Sequence, residues 1–400
     1  MNSRIVVTGA GVISSIGAGL EEFERNLFAG FAGVGPSQIF GEEAITAEVR
    51  DFNPQTWLGT KGIRVLDRAA RLLCVAAEMA LSSTGLKQPD GAEGDPNLGM
   101  VCGTMFGSVH SITSFDWSGQ TEGVKYVNPM EFPNTVINSP AGQAAIKFKL
   151  RGVNSTISAG LASGLFAIHY ATEFVRFGRA TALLAGGVEE LCEESFLTFR
   201  KAGVVSERGL ARPFQPERDG IVIGEGSALM TVETEDRARA RGVQPLFEIA
   251  GFGSAHDAHS INSYNVRGQG AAEAMEQALA AAGLTPADIG CIIAGASGSP
   301  AADQMEWHAL KQVFGERVGG IPISAPKAAF GEAMGACGAL CALAGALALM
   351  CQCAPPTAGF QGSDLPLKLS ASPQPFAAGA VLINSFGCDG NNASLILRRI

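Results

Sequence analysis

Asn154-Ser155-Thr156-Ile157-Ser158-Ala159-Gly160-Leu161-Ala162-Ser163-Gly164-Leu165-Phe166-Ala167-Ile168 reads as a polar, β-branched strand that turns through Ala159-Gly160 and continues as a helix. Leu165, Ile168, Phe174 and Val175 recur at helical spacing and mark its apolar face. A tight strand-to-helix corner built of small residues is where many enzymes mount a nucleophile. The corner side chain is exposed there, and the free N–H groups of the helix N-terminus favour developing negative charge. The corner residue here is Leu161, which has no nucleophilic atom, no proton to give and no ligand atom.

Outward from that corner the chain repeats one grammar twice. The strand Ile5-Val6-Val7-Thr8 runs into Gly9-Ala10-Gly11, and Leu246-Phe247-Glu248-Ile249 runs into Ala250-Gly251-Phe252-Gly253. Each glycine pair predicts a tight turn at a strand end. Ser14 stands where a dinucleotide fingerprint needs its third glycine, so the fingerprint is incomplete and a strand end is expected instead. A helical stretch over 67–86 ending at Gly85 is echoed over 271–284, and a buried strand over 97–103 is echoed over 289–295. The Ile323-Ser324-Ala325-Pro326 segment and the small-residue helix near Met334 then take the place of the 154–164 corner. This order predicts a duplicated α/β unit, with an N-terminal half over 1–243 and a C-terminal half over 244–400. The two corner helices, both rich in Ala and Gly, are expected to meet at the centre. The segment 104–138 reads as an extended, irregular insertion, long enough to be functional or an interface.

Composition narrows the function classes. Charged residues make up 17% of 400, against a typical ~25%, so much of the surface is expected to be buried in thick layers or in a subunit interface. A net charge of −9 gives no footprint for nucleic acid and argues against an anionic membrane surface. The apolar run over 335–350 is shorter than the ~18–20 residues of a spanning helix, so a buried central helix is expected. The first residues enter a strand with no secretory pattern, and nine cysteines then read as reduced thiols in the cytoplasm. Cys337, Cys341, Cys351 and Cys353 lack histidine or paired-cysteine spacing, and His256 with His259 lack a third ligand, so no metal is expected.

The order and spacing of several motifs resemble the β-ketoacyl-acyl-carrier-protein synthases. These are Val6-Val7-Thr8-Gly9-Ala10-Gly11-Val12, Phe132-Pro133-Asn134-Thr135-Val136, Pro140-Ala141-Gly142-Gln143, Ala162-Ser163-Gly164, Leu184-Ala185-Gly186-Gly187, Arg212-Pro213-Phe214, Arg218-Asp219-Gly220 through Gly226, and Asn384-Ser385-Phe386-Gly387. The resemblance covers nearly the whole chain. It implies a thiolase-like fold, α/β in class, with two duplicated halves in a five-layer α-β-α-β-α sandwich and no cofactor.

Family chemistry, as the resemblance implies it, uses a corner cysteine that takes the acyl chain as a thioester. Two histidines bind the malonyl carbonyl and stabilise the enolate. At those places this chain carries Leu161, Gly295 and Glu332, and Cys388 stands at the bulky gate of the Gly387-Cys388-Asp389-Gly390 loop. Lys327 and Glu306 match family residues and are expected to form a buried pair bracing two loops. The function implied is that of the silent chain-length factor of type II polyketide or aryl-polyene systems. Such a factor pairs with an active ketosynthase as a heterodimer, fed by an acyl carrier protein, and walls the acyl tunnel. Phe106, Val109, His110 and Phe132 are the expected wall residues. The alternative is relocated chemistry (a decarboxylase or acyltransferase using Glu332, or a nucleophile at Ser163 or Cys388), and a third reading is a structural homodimer or acyl-binding protein.

Overall fold

The computed structural model describes residues 3–89 and 91–400. Strands β1 (Ile5–Ser14), β2 (Leu98–Gly103), β3 (Asn154–Ile157), β4 (Ala182–Glu189) and β5 (Gly226–Thr234) belong to the first half. Strands β6 (Phe247–His256), β7 (Ile289–Ile293), β8 (Ile323–Ser324), β9 (Ala380–Phe386) and β10 (Asn391–Arg398) belong to the second. The helices that matter here are α1 (Arg68–Thr84), α2 (Val109–Thr121), α3 (Ser139–Phe148), α4 (Ser163–Arg176), α5 (Gln269–Ala282), α6 (Pro300–Phe314) and α7 (Cys337–Cys351).

Among the described residues one 11-stranded sheet runs in the order β8-β7-β9-β10-β6-β1-β5-β4-β2-β3, with a two-residue strand attached to β1. Read from either end towards the middle, each half has two parallel pairings followed by two antiparallel ones. The duplication is thus visible strand by strand. Within the sheet, among the described residues, the halves join through the pairs Val6–Glu248 and Val7–Phe247. Helices α1 and α3 cover the outer face of the first half, α5 and α6 that of the second, and α4 with α7 fill the layer between. This is the expected thiolase-like arrangement.

Local sequence explains where these elements start and stop. Asp67 caps α1 by accepting the Ala70 N–H at 2.9 Å, and Gly85 ends it in the left-handed conformation. Helix α7 carries no charge, and with the preceding turn (Met334–Cys351) it is long and apolar enough to span a membrane. It is instead 89% buried as the central core helix. It reaches α4 through small residues: a Cβ on Gly164 would lie 2.7 Å from the Ala339 nitrogen, and one on Gly338 2.8 Å from the Leu165 nitrogen.

Two expectations are corrected. Strand β1 does not end in a turn at Gly9-Gly11 but continues to Ser14, and β6 likewise passes through Gly251 and Gly253. The glycines are there because a helix lies against them. A Cβ on Gly11 would strike the Ala76 carbonyl of α1, and one on Gly253 the Ala274 carbonyl of α5. The 104–138 segment is not irregular throughout, since α2 occupies its centre and a short 3-10 turn spans Phe132–Asn134.

Candidate functional site

The corner sits where β3 hands over to α4. Gly160 adopts φ +56°, and a side chain there would collide with the Asp389 carboxylate of the 387–390 loop. The loop therefore docks directly on the turn. Ser163, fully buried, donates its hydroxyl to the Gly160 carbonyl at 2.6 Å and accepts the Ala159 N–H at 2.9 Å. Both functions of that hydroxyl staple the turn, which leaves it no part as a nucleophile. Ser385, on β9, donates to the Leu161 carbonyl at 2.9 Å and ties the second half to the corner.

Leu161 does not stand exposed as a corner residue was expected to. It is 6% exposed and packs in a cluster with Ala44, Leu191, Phe196, Ile221, Ile223 and Met334. The Leu161 side chain is held there by the hydrophobic effect.

The expected Lys327–Glu306 pair is replaced by another. Lys327 Nζ donates to Glu332 Oε2 at 2.7 Å, and the two side chains are 1% and 2% exposed. Burial alone drives the Lys327 ammonium towards the neutral form, but the Glu332 carboxylate overrides it and holds the lysine above its ordinary range. Glu332 is thus committed as a counter-ion. Glu306 instead accepts the Gly295 N–H at 3.0 Å and the Asn384 amide at 2.9 Å, and burial pushes it up to about 7. It fastens the Gly295 loop to β9 rather than neutralising the lysine. Cys388 is half-buried, and its thiol is raised first by burial and then by the adjacent Asp389, the reverse of an activated thiolate.

The expected wall residues do not converge on one point. Phe106 joins the apolar cluster around Leu161 and meets Phe199 edge-on at 6.1 Å. Val109 begins α2, and His110 lines a surface cavity of ≈ 640 Å³ that also touches Phe40, Ala44, Leu191 and Phe196. Phe132 lies outside, exposed and packed against Phe115 of α2. No group of three potential metal ligands occurs among the described residues.

Sequence reading passed over Glu189 and Glu190 at the end of β4. Glu189 accepts the Thr104 hydroxyl and the Met105, Phe106 and Gly335 N–H groups. The signal was two consecutive carboxylates, the first closing an otherwise apolar strand and the second directly after it.

A duplicated thiolase-like scaffold with a strand-to-helix corner facing two loops from its second half defines a condensing-enzyme architecture. Residues 2–238 match the beta-ketoacyl synthase N-terminal domain and residues 246–361 its C-terminal domain. The chain belongs to the beta-ketoacyl synthase family. It is 32% identical to the 3-oxoacyl-[acyl-carrier-protein] synthase 2 of Rhizobium meliloti (strain 1021), across 99% of both chains. The solved ishigamide ketosynthase/chain length factor superposes with a TM-score of 0.93 at 29% identity, covering all of both chains. The AntDE:AntF structure, a type II PKS acyl-carrier protein in complex with its ketosynthase bound to the hexaketide, gives 0.88 at 26%, again over all of both chains.

Proposed function

We propose that this chain is the chain-length factor of a ketosynthase heterodimer in carrier-protein-dependent polyketide or polyene synthesis, acting in the cytoplasm. The observation that carries the reading is the state of the three reacting positions. Leu161 is packed in apolar side chains, Gly295 has no side chain, and Glu332 is ion-paired to Lys327 through Oε2. A scaffold without nucleophile and without enolate stabilisers retains at most residual catalysis. The other candidate groups are also occupied or deactivated: Ser163 staples the turn and the Cys388 thiol is raised. The likeness to a ketosynthase/chain length factor structure supports the same partner. So do the exposed apolar side chains on α2 and α3, Trp117 at 66% and Ile146 at 77%, with α3 packed on the edge strand β3.

In this reading the partner supplies the cysteine and both histidines, and receives acyl and malonyl groups from the acyl carrier protein. This chain closes the far end of the partner's acyl space with the segment bearing Phe106, Val109 and His110. The test is co-expression with a ketosynthase carrying the full catalytic set, purified through a tag on this chain alone. One-to-one co-elution is expected, with elongation abolished by mutating the partner's corner cysteine. A lone chain that turns over malonyl thioester, and loses that turnover on Glu332→Ala, overturns the proposal.

A further inference from the structure

Two buried carboxylates at the end of β4 belong neither to the corner nor to the Lys327–Glu332 pair. Glu189 Oε1 accepts the Thr104 hydroxyl at 3.0 Å and the Phe106 N–H at 3.0 Å, while Oε2 accepts the Met105 N–H at 2.7 Å and the Gly335 N–H at 3.0 Å. Glu190 accepts the Ala69 N–H at 3.1 Å and the His110 N–H at 3.4 Å. Glu189 is the last residue of β4 and Glu190 follows it directly, and successive residues of an extended chain point to opposite faces. Glu189 accordingly reaches the entry of the central helix α7, and Glu190 reaches the start of the outer helix α1. Between them they grip the 104–110 segment at both ends and reference it to two separate layers.

The arrangement is costly, because burial penalises both charges. Burial pushes Glu189 up to about 7 and Glu190 up to about 8, the latter also raised by the nearby Asp67. Strand β4 does not need their side chains for its own hydrogen bonds, since it pairs with β2 over 182–187 and with β5 along its whole length. What they hold is backbone: the N–H groups of Met105 and Phe106 at one end and of His110 at the other. Phe106 reaches the cluster around Leu161, and His110 reaches the cavity beside it. The position of that backbone therefore decides how far the wall projects.

We infer that Glu189 and Glu190 are positioning residues that set the depth of the acyl space by fixing Phe106 and His110. This role rests on the chain-length reading above. The two acids touch no acyl group in this scheme and act only through the segment they hold.

The experiment compares Glu189→Gln, Glu190→Gln, Phe106→Ala and the Phe106→Ala/Glu189→Gln double variant. In the isolated chain, hydrogen exchange at Met105 and Phe106 is expected to quicken at least about tenfold in Glu189→Gln, with α5 and α6 unchanged. In the heterodimer, Glu189→Gln is expected to move the product-length distribution in the same direction as Phe106→Ala. The double variant should add no further shift, because both changes act on one element. A merely structural role would lower the yield and leave the length alone. If Glu189→Gln does not fold, Glu190→Gln carries the same comparison through His110. Variants that co-elute with the ketosynthase yet make parent-length product overturn this role alone. A parent chain that never co-elutes overturns the chain-length reading and this role with it.

Discussion

A buried ammonium needs a counter-charge within hydrogen-bonding reach, and Glu332 is the one Lys327 has. Removing one member of such a pair strands the other, typically at a cost of roughly 3–5 kcal/mol. Glu332→Gln is therefore expected to destabilise the chain by about that much, read as a lower urea midpoint at unchanged slope. The Glu332→Gln/Lys327→Met double variant should recover most of the loss, because it removes the stranded charge as well. A Glu332→Gln variant as stable as the parent would show that the carboxylate is not the lysine's partner, and would reopen a chemical role for it. The same pair shows why the corner cannot be re-armed by one change: a histidine placed at 332 would leave Lys327 unneutralised.

Among the elements, the α4–α7 contact is where a small substitution should tell most. A methyl at Gly338 would lie 2.8 Å from the Leu165 nitrogen, a backbone atom that cannot swing aside. Gly338→Ala is expected to force the central helices apart at a cost of about 1–3 kcal/mol, despite the better helix propensity of alanine. Thermal denaturation checks it, and a stabilised variant would mean the two helices are less closely packed than their glycines imply. The expectation that they meet was legible in the sequence because both are built of Ala and Gly, and close approach is what such residues permit. Gly9, Gly11, Gly251 and Gly253 misled for the opposite reason. A glycine in a strand marks a turn when seen locally, whereas here it is required by a helix more than fifty residues away in the first half and by α5 in the second. The partner of Lys327 was illegible on similar grounds. Two carboxylates, Glu306 and Glu332, lay within reach of the proposed loops, and spacing alone does not say which of them a lysine will face. The glutamates at 189 and 190 escaped notice because their role is defined by the backbone groups they hold, which have no sequence signature.

At the level of the whole molecule, the buried acids set the direction of its pH dependence. Burial pushes Glu189 and Glu306 up to about 7, Glu190 up to about 8 and Asp303 up to about 6. The folded chain thus keeps protons that the unfolded chain has already released. The stability this contributes is complete below the ordinary carboxylate range and is lost as pH rises through about 6 to 8. Glu233 works the other way: burial opposes its charge, but Arg241 and Thr8 hold it below the ordinary range, so its contribution is lost on acidification. The urea midpoint is therefore expected to be higher near pH 5.5 than near 8.5, roughly, at fixed ionic strength. A midpoint that rises across that interval would contradict the assignment of protons to these buried acids. The surface leads to a second prediction at this scale. The Phe132–Asn134 turn touches both α2 and α3, so Trp117, Phe132 and Ile146 lie on adjoining elements, of which α3 packs on the edge strand β3. Large apolar side chains left this exposed contribute little to the isolated fold but much to a permanent interface. Trp117→Glu and Ile146→Glu should leave the stability of the isolated chain within about 0.5 kcal/mol of the parent. In a tag pull-down with the ketosynthase, each is expected to lower the recovered partner at least about tenfold, an effect of about 1.4 kcal/mol or more on association. Ile261→Glu, equally exposed but on a loop of the second half, serves as the matched control and should retain the partner. Full recovery with both first-half variants would move the interface elsewhere on the molecule and leave the apolar face of α2 and α3 in need of a different occupant.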